Sequence, residues 1–562
     1  MNGQKITRQE ALSELTAPGQ PHELEQLDIN GYPCRVFKNA PATLRDLYSE
    51  NRSDTPFFVY EDERYTYEEV YQRSSQIATL LINDYGIVKG DRISISMRNY
   101  PEWVMTFNAV TSIGAIAVAM NALWLTEEME YGLEHSGSRL LFADQERIDR
   151  VLPVYHRLKM DVIAIRPNKP LPDDIAVLDD LMEGMAPCEM PEVQIDPNDN
   201  ATIFYTSGST GHPKGALSSH RNILTALMSW ELDLLAFAVE MNFEFESPSY
   251  PPATLLAVPL FHATGSHAVL LNSYRQQRLI VSMYRWDPQL AAELVEEERI
   301  TSFIGPAAMT GDLTEVAKKT NRDLSSLAAV GGGGAARAPE QVKGIAKTFA
   351  NALPSTGWGM TETNAIGTGI GGEDYLERPG SSGRCSVVLD LAVFDEDGNE
   401  LHRGERGELR IRGTSVIQGY WRRPEANQEV FVDGWLKTGD VAYIDDDDYL
   451  YIVDRIKDLV IRGGENIGCA EVEAALLEYP VILEASAYAV PDDRLGEEVG
   501  TTIYSQSTID LDELKAFLSA HIARFKIPRY FKIVAEPLPR IASGKINKRR
   551  LRELAVGEIQ NG

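Results

Sequence analysis

An apolar pattern with helical spacing near the N-terminus leads directly into a pattern with strand spacing. Thr66 and Glu69 have the spacing of a capping box, which marks the start of a helix. The apolar positions that follow are Val70, Ile77, Ala78 and Leu81, and the pattern ends at Gly86. The segment DRISISM, which begins at residue 91, then alternates as a strand does. The pattern predicts a helix followed by a strand.

The same alternation of helix-like and strand-like segments continues through the middle of the chain. Strand-like segments begin at residues 139 (RLLFAD), 253 (ATLLAVP) and 300 (ITSFIGP). Apolar strands separated by helical segments are typical of parallel sheets covered by helices. We therefore expect an α/β fold in this part of the chain.

The pattern changes beyond Gly404 to short strands separated by turns, as in GELRIRG and GWLKTGDVAYIDDDDYLYIVDR. The aspartates at 445–448 indicate a solvated hairpin tip, because the spacing of a calcium-binding loop is missing. After Lys457 the sequence predicts a compact α+β segment, with helices near 470–478 and 510–523 and strands near Ile482 and Thr501. We place a domain boundary at about 455–458.

Composition and charge narrow the class of protein. The chain has 562 residues, of which 43% are hydrophobic and 24% charged, and its formal net charge is −29. These values are ordinary for a folded enzyme, and the length predicts several domain-sized units. The negative charge disfavours a nucleic-acid partner, because phosphate backbones are bound by clustered Lys and Arg.

Cysteine spacing and the N-terminal residues indicate a cytoplasmic protein. The 4 cysteines lie far apart, with no CxxC pair and no metal-ligand spacing, which fits a reducing compartment and disfavours a structural zinc. Residues 1–20 hold no apolar run of signal-peptide length. Residues 103–125 carry no charge, but polar residues and glycine interrupt them, so we expect buried core and no integral membrane segment.

A glycine- and hydroxyl-rich loop predicts a phosphate site. The stretch FYTSGSTGHPKGALSSH, residues 204–220, follows a strand-like segment and carries a single lysine, Lys214. It differs from the nucleotide-binding P-loop, because Pro213 precedes that lysine and Gly215 follows it. Its glycines still allow backbone N–H groups to turn toward phosphate oxygens. The hydroxyl donors are Ser207, Ser209 and Thr210.

The segment YTSGSTGHPKG resembles the signature of the adenylate-forming superfamily, which includes acyl-CoA synthetases, luciferases and peptide-synthetase adenylation domains. Further blocks match in order: GGAARAPE from Gly333, GWGMTET from Gly357, WLKTGD and VDRIKDLVIRGGENI from Trp435 onward, and PRIASGKINKRRLR from Pro539. The resemblance extends over roughly residues 40–552, and the joint occurrence of these blocks is far more specific than any single one.

The resemblance implies a large N-terminal domain of sandwiched α/β subdomains with a β-rich subdomain, and a small mobile C-terminal α+β domain. On this basis residues 1–40 are an N-terminal extension, 41–455 the AMP-binding domain and 456–562 the C-terminal domain. The implied reaction joins a carboxylic acid to AMP, releases pyrophosphate and then transfers the acyl group to the thiol of coenzyme A. ATP, Mg²⁺ and coenzyme A are the implied cofactors, and a homodimer is left open.

Residue by residue, the resemblance assigns a nucleotide site. Thr361 would contact the α-phosphate, while Glu362 and Thr210 would hold the magnesium ion. Trp358 would stack on adenine in place of the usual tyrosine, although packing in the core is an alternative role for this indole. The other positions implied to bind nucleotide are Thr206, Ser207, Gly208, Ser209, Gly211, Lys214, Gly333, Gly334, Ala335 and Gly359.

Three charged residues toward the C-terminus complete the implied nucleotide site. Asp440 would bind both ribose hydroxyls, and Arg455 would lie near the ribose and the phosphates. Lys545, in SGKINK, resembles the lysine that bridges carboxylate and phosphate oxygens during adenylation. Taken alone each of these side chains would be a surface charge, and only the surrounding blocks favour the functional role.

In the implied mechanism, the C-terminal domain that carries Lys545 must move away from the active site before the thiol of coenzyme A can approach the acyl carbonyl carbon. Lys457 matches the hinge about which the small domain of this superfamily rotates. Gly463 and Gly464 would line the thiol tunnel after that rotation, with an ordinary turn as the alternative interpretation.

The block PLFHATG helps to indicate which class of carboxylic acid is the substrate. Peptide-synthetase domains hold the substrate amino group with an aspartate where this chain has His262, so amino-acid activation is disfavoured. His262 resembles a gate between acyl pocket and thiol tunnel, and a buried core histidine is the alternative. The residues implied to line the acyl pocket are Ala263, Thr264, Gly265, Gly333 and Gly357. Such small walls favour a fatty or aryl acid over acetate, and a short sulfur-containing acid stays open.

Three functions are compatible with these residues, and the first is favoured. The chain is an acyl-CoA ligase, an acyl-AMP ligase that delivers to a carrier protein or other acceptor, or an inactive nucleotide-binding or scaffold protein. The presence of Lys545, Glu362 and Asp440 argues against the inactive protein.

Overall fold

The computed structural model describes residues 6–29, 31–206, 212–242, 249–333, 337, 339–456, 458–462, 465–492, 494–541 and 544–561. Within these ranges the helices are α1 (Arg8–Leu15), α2 (Leu44–Glu50), α3 (Tyr67–Asn83), α4 (Pro101–Ser112), α5 (Thr126–Ser136), α6 (Gln145–Val151), α7 (Tyr155–Leu158), α8 (Leu178–Met182), α9 (His220–Glu240), α10 (Asn272–Gln276), α11 (Pro288–Glu297), α12 (Ala307–Lys319), α13 (Pro339–Thr348), α14 (Gly372–Glu377), α15 (Pro424–Val430), α16 (Cys469–Leu477), α17 (Leu511–His521) and α18 (Lys548–Asn561). A π-helix covers Thr264–Leu271, and 3-10 helices cover Thr361–Thr363 and Arg524–Lys526.

The strands are β1 (Leu24–Ile29), β2 (Tyr32–Phe37), β3 (Pro56–Tyr60), β4 (Glu63–Thr66), β5 (Arg92–Ser96), β6 (Ile116–Ala119), β7 (Leu140–Asp144), β8 (Asp161–Ile165), β9 (Ala176–Val177), β10 (Asn200–Thr206), β11 (Lys214–Ser219), β12 (Ala253–Leu256), β13 (Leu279–Ser282), β14 (Ser302–Gly305), β15 (Ala329–Gly333), β16 (Leu353–Gly357), β17 (Thr368–Gly371), β18 (Gly383–Cys385), β19 (Leu389–Phe394), β20 (Gly407–Gly413), β21 (Gly419–Tyr420), β22 (Phe431–Val432), β23 (Trp435–Ile444), β24 (Tyr449–Arg455), β25 (Val460–Arg462), β26 (Glu465–Ile467), β27 (Glu484–Asp492), β28 (Gly496–Tyr504) and β29 (Tyr530–Val534).

The predicted N-terminal helix and strand are confirmed as α3 and β5. The backbone N–H of Glu69 donates to the hydroxyl of Thr66 over 3.1 Å, and the backbone N–H of Thr66 donates to the Glu69 carboxylate over 2.8 Å. This reciprocal pair satisfies two donors that a helix start would otherwise leave unpaired. The apolar positions predicted to face inward, among them Val70 and Ile77, are buried.

Two large sheets form the N-terminal part of the described chain. The first has the strand order β21-β11-β10-β6-β5-β7-β8-β9, and its strands are parallel from β10 to β9. In the second sheet the run β16-β15-β14-β12-β13-β3 is parallel. This sheet continues through β17 into the antiparallel strands β18, β24, β23, β20 and β19, which form the expected β-rich part.

One hydrophobic core connects both sheets. It includes Ile93 and Ile95 of β5, Leu255 of β12, and residues of helices α3 and α4. The uncharged stretch 103–125 lies here as α4 and β6, with Trp103 stacked on Phe107 at 4.9 Å. The expectation of buried core is therefore confirmed for residues 103–120, whereas Leu123 and Leu125 are exposed.

Among the described residues, α9 alone is long and apolar enough to cross a membrane by length and composition. Its apolar window has a mean hydropathy of 1.4, and 61% of that window is buried inside the protein. Core helices pass the same test, and α9 packs against α1, against the π-helix and along β11.

The C-terminal segment forms its own sheet with the order β26-β25-β28-β27, and β29 pairs with β28. Helices α16 and α17 lie where the sequence predicts them, and the strands predicted near Ile482 and Thr501 are β27 and β28. The segment has a separate hydrophobic core around Val472, Leu476 and Leu514. The aspartates at 445–448 form the turn between β23 and β24, as expected.

Candidate active site

A cavity of ≈ 320 Å³ opens where the parallel strands of the second sheet end. Gly333 and Gly357 are the last residues of β15 and β16, and both line it. Ligands of open α/β sheets bind at this end of the strands, because the loops that leave them diverge and create a crevice. The other sequence-predicted residues that line the cavity are His262, Ala263, Thr264, Gly359, Thr361 and Lys545.

Lys545 reaches this cavity from the C-terminal segment. Gly544, directly before it, has φ +79°, a conformation that favours glycine, and the Ile541 N–H donates to the Lys545 carbonyl over 2.8 Å. Arg540 donates to the Gly544 carbonyl over 2.8 Å and forms an ion pair with Glu484, which fixes the loop to its own sheet. Lys545 therefore reaches the cavity from a backbone that these contacts hold in place.

Burial lowers the pKa of Lys545, and the neighbouring Arg455 lowers it further, while Asp440 acts in the opposite direction. An anion that entered the cavity would favour the charged ammonium and offset this cost. The electrostatics of the site therefore fit a lysine that acts on a negatively charged substrate.

Asp440, Arg455 and Trp358 lie together beside the cavity, although none of the three lines it. Arg455 Nε contacts Asp440 Oδ1 at 2.5 Å, and the indole N–H of Trp358 donates to Asp440 Oδ2 over 2.8 Å. Burial raises the pKa of Asp440, and Arg455 offsets part of that rise. Both carboxylate oxygens are already partnered, so a ribose that bound here would displace or share one of these donors. The indole of Trp358 is half-buried and packs against the core, which is the alternative role named for it.

Glu362 is buried directly after Thr361 and fits a magnesium ligand. Its Oε1 accepts the hydroxyl of Tyr420 over 2.7 Å, and no hydrogen bond from the described residues reaches Oε2. A single carboxylate oxygen is what Mg²⁺ needs when ATP phosphates and water supply its other ligands. No group of three or more His, Cys, Asp or Glu that could hold a metal occurs in the described part of the chain. The donor set therefore fits a magnesium ion that arrives with the nucleotide.

Lys214 lies near this carboxylate. Its ammonium is 5.0 Å from the ring centre of Tyr420, the residue that donates to Glu362. Thr206 donates its hydroxyl to the Lys214 carbonyl over 3.3 Å and does not line the cavity. The predicted residues Ser207, Gly208, Ser209, Thr210 and Gly211 lie outside the described residues, as do Gly334, Ala335, Lys457, Gly463 and Gly464.

His262 is a neutral, partly buried side chain in the cavity wall. Burial lowers its pKa to about 4, with a further contribution from the Lys545 charge. Its Nε2 is buried and has no hydrogen-bond partner among the described residues. A buried polar atom without a partner is costly, so this nitrogen is poised for a ligand.

Gly265 lies outside the cavity lining, unlike Gly357, although a Cβ on Gly357 would also meet backbone, at 2.5 Å from the carbonyl oxygen of Thr368. A Cβ placed on Gly265 would lie 2.3 Å from the carbonyl oxygen of Pro259. Its small size therefore lets the π-helix pack against backbone, and it does not widen the pocket. Next to it His267 connects Ser266 (2.8 Å) with Asn364 (3.1 Å), which ties the π-helix to the turn that follows Glu362.

Sequence reasoning missed Tyr420, which holds Glu362, and the contribution of α9 to the cavity. Trp230 and Asp233 of α9 line it, three residues apart on one helix face. An acidic residue within a mostly apolar helix was the available signal for Asp233, because such a residue needs a buried partner.

The chain is similar in sequence to known CoA ligases. A long-chain-fatty-acid–CoA ligase of Mycobacterium tuberculosis (FadD13) is 32% identical over 88% of this chain and 93% of its own length. A feruloyl-CoA synthase from Amycolatopsis is 33% identical over 87% of this chain and 93% of its own length.

A solved structure is similar throughout the fold. The o-succinylbenzoate CoA synthetase (MenE) from Bacillus subtilis, in complex with its acyl-adenylate intermediate, has a TM-score of 0.75 and 27% identity over 91% of this chain and 98% of that chain. The same enzyme in complex with ATP and magnesium ion gives a TM-score of 0.76 over 91% of this chain and 99% of that chain.

The sandwiched sheets, the separate C-terminal unit and the lysine that joins them at one cavity define an adenylate-forming enzyme of the acyl-CoA synthetase type. The chain belongs to the AMP-binding enzyme family, which residues 46–421 match, and residues 471–545 match the C-terminal domain of the AMP-binding enzymes.

Gly265→Ala should destabilise the protein, because the added methyl group meets backbone atoms that cannot move aside. We expect a cost of about 1–3 kcal/mol, measured as a lower midpoint of thermal unfolding. Gly369→Ala is the matched control, since no atom lies within 4 Å of a Cβ at that position. Equal midpoints for the two variants would contradict the packing role of Gly265.

Glu362→Gln should abolish adenylation without unfolding the protein. The amide keeps an acceptor for Tyr420 but loses the charge that a metal ion requires. We expect ATP–pyrophosphate exchange to fall by a factor on the order of 10² to 10³, with a thermal midpoint close to that of the wild type. Glu362→Ala should lose as much activity and also some stability, because Tyr420 is left without its acceptor. Exchange near the wild-type rate in the glutamine variant would refute the assignment.

Proposed function

We propose that this protein is an AMP-forming acid–CoA ligase that activates a fatty or aryl carboxylic acid. The observation that carries the proposal is the position of Lys545 in the cavity that Thr361, Gly333 and His262 also line. A lysine from one folding unit, buried in the nucleotide crevice of another, has no evident role in stability because its burial is costly.

In the first step a carboxylate oxygen of the acid attacks the α-phosphorus of ATP. The new bond joins acid and AMP, and the bond to pyrophosphate breaks. This step brings two anions together, so Lys545 offsets the charge that develops between them, and Thr361 donates to the α-phosphate. Bound Mg²⁺ would neutralise phosphate charge, and Glu362 would hold it with Thr210.

Nucleotide recognition rests on the remaining charged and aromatic groups. Asp440 binds the ribose hydroxyls, Arg455 keeps its carboxylate charged and in place, and Trp358 packs beside the adenine. The glycine-rich loop from Thr206 to Gly211, with Lys214, surrounds the phosphates. Gly333, Gly334 and Ala335 line the adenine edge, where the backbone must come close, and Gly359 belongs to the same nucleotide site.

In the second step the thiol of coenzyme A loses its proton, its sulfur attacks the acyl carbonyl, and the bond to AMP breaks. Lys545 occupies the approach to this carbonyl, so the unit of residues 456–562 must first rotate about Lys457 relative to residues 41–455. Gly463 and Gly464 then line the thiol tunnel, with His262 as its gate. The uncharged His262 can move past the acyl group without separating an ion pair.

The acid enters a pocket with small walls at Ala263, Thr264 and Gly357. These residues leave room for a chain or ring longer than acetate. We expect the reaction to take place in the cytoplasm, where ATP and coenzyme A are both supplied.

Incubation of the protein with ATP, Mg²⁺ and a panel of acids should give pyrophosphate exchange with at least one fatty or aryl acid. The panel runs from short to long chains and includes aryl acids. Addition of coenzyme A should then give acyl-CoA and AMP, read by mass spectrometry. The same incubations without Mg²⁺ are the control. An absence of exchange with every acid would refute the proposed activity, and exchange without thioester formation would favour another acceptor.

Lys545→Ala should separate the two half-reactions. Adenylation should fall by a factor on the order of 10² to 10³, since one preorganised charge is lost, while thioester formation from synthetic acyl-AMP should survive. Lys457→Pro should give the opposite pattern, because proline fixes φ near −65° and hampers the rotation. Each variant is assayed for pyrophosphate exchange and for thioester from supplied adenylate. Equal losses in both assays for both variants would favour a single static site.

A further inference from the structure

Helix α9 contributes a carboxylate to a cavity wall that is otherwise built largely from small and apolar groups. Asp233 lines the cavity beside Trp230, one helical turn away on the same face. Burial raises the pKa of Asp233, although the positive charge of Arg8 and the hydroxyl of Ser386 act in the opposite direction. An acidic side chain in an acyl pocket is costly unless it has partners, so those partners decide what the pocket accepts.

The N-terminal helix supplies the first partner. Arg8 donates from Nη2 to Asp233 Oδ1 over 2.6 Å, and the two side chains are only 13% and 17% exposed. Helix α1 begins at Arg8, is capped by Thr7 and packs along α9 with Ala11 fully buried. The ion pair is thus held by the packing of two helices, and it fixes the orientation of the carboxylate.

The charges around Asp233 are balanced. Arg384, the other cation that acts on it, forms its own ion pair with Glu240 at 2.6 Å. Glu231, on the same helix, pairs with Arg275 at 2.7 Å and faces away from the cavity. A substrate group with a full charge would disturb this balance, whereas a neutral hydrogen-bond donor would not.

One acceptor of Asp233 is left for a ligand. No hydrogen bond from the described residues reaches Oδ2. The nearby hydroxyl of Ser386 lowers the pKa of Asp233 as a hydrogen-bond donor, and the carboxylate keeps further acceptor capacity toward the cavity that it lines. A methyl-terminated chain would shield these polar groups from water without a compensating hydrogen bond.

Asp233 and Lys545 line the same cavity, and no ion pair joins them among the described residues. An acid whose carboxylate meets Lys545 can therefore reach Asp233 on α9 with another part of the molecule. Gly369 lines the same cavity and has open space at its Cβ position.

We propose that Asp233, fixed by Arg8, selects acids that carry a neutral hydroxyl group at the end remote from the carboxylate. The inference rests on the proposed function and names its substrate class, a hydroxylated carboxylic acid. A second carboxylate at this end would meet Asp233 directly, and an ammonium group would add a charge to a balanced set. An aliphatic alcohol and a phenol both supply a hydroxyl donor, and the assay below distinguishes these two kinds of acid.

The test compares acids in matched pairs that differ only by a distal hydroxyl or methyl group, in an aliphatic series and in an aryl series. Adenylation is measured as pyrophosphate exchange and expressed as kcat/KM. A hydrogen bond to a carboxylate predicts a preference for the hydroxyl member by about 10- to 100-fold in the wild type. The series that shows the preference identifies the substrate as alkyl or aryl.

The double variant Arg8→Leu/Asp233→Leu should lose or reverse this preference while it still activates the methyl acids. Removal of both partners avoids a buried unpaired charge, so this variant should fold even where Asp233→Leu alone does not. Glu231→Gln is the matched control, because it removes a carboxylate from the same helix outside the cavity and should keep the hydroxyl preference.

The outcomes separate the two proposals. Two results would overturn the role of Asp233 and leave the ligase activity standing. The wild type could activate acids efficiently without preferring the hydroxyl member, or the double variant could keep the wild-type preference. An absence of exchange with every acid would overturn both.

Discussion

The burial of one ammonium group, that of Lys545, joins the C-terminal unit to the cavity of the larger unit. The charged side chain leaves water and enters a crevice in the larger unit, where burial and Arg455 both lower its pKa. Such a position is unfavourable for the empty protein and becomes favourable once an anion shares the crevice. The buried position of Lys545 therefore fits a crevice that an anionic substrate enters.

Local patterns in the sequence were sufficient for most of the fold. The capping box at Thr66, the apolar strands of both large sheets and the hairpin after β23 are short-range features, and each is present. The resemblance carried by the ordered blocks assigned Lys545, Thr361 and His262 to the active site, and all three line one cavity. These residues could be named because the chemistry they serve constrains their local sequence.

The remaining features depend on contacts between distant parts of the chain. Arg8 and Asp233 are 225 positions apart, and Trp358 and Asp440 are 82 positions apart. Gly265 was expected in the pocket because it is small, whereas its size serves the contact with Pro259. A small residue looks the same in a sequence whether it makes room for a ligand or for backbone, and only its position in the folded protein separates the two cases.

The charges near the cavity differ in whether the protein itself supplies their partners. Asp440 has Arg455 and Trp358, Asp233 has Arg8, and Glu362 has Tyr420. Each of these carboxylates is held in place before a ligand arrives, so little reorganisation is required on binding. Lys545 has no ion-pair partner within 4.0 Å among the described residues. The fixed groups therefore suit recognition, and the unpaired lysine suits the step in which charge is redistributed, because only an unpaired charge can respond to a change in its substrate.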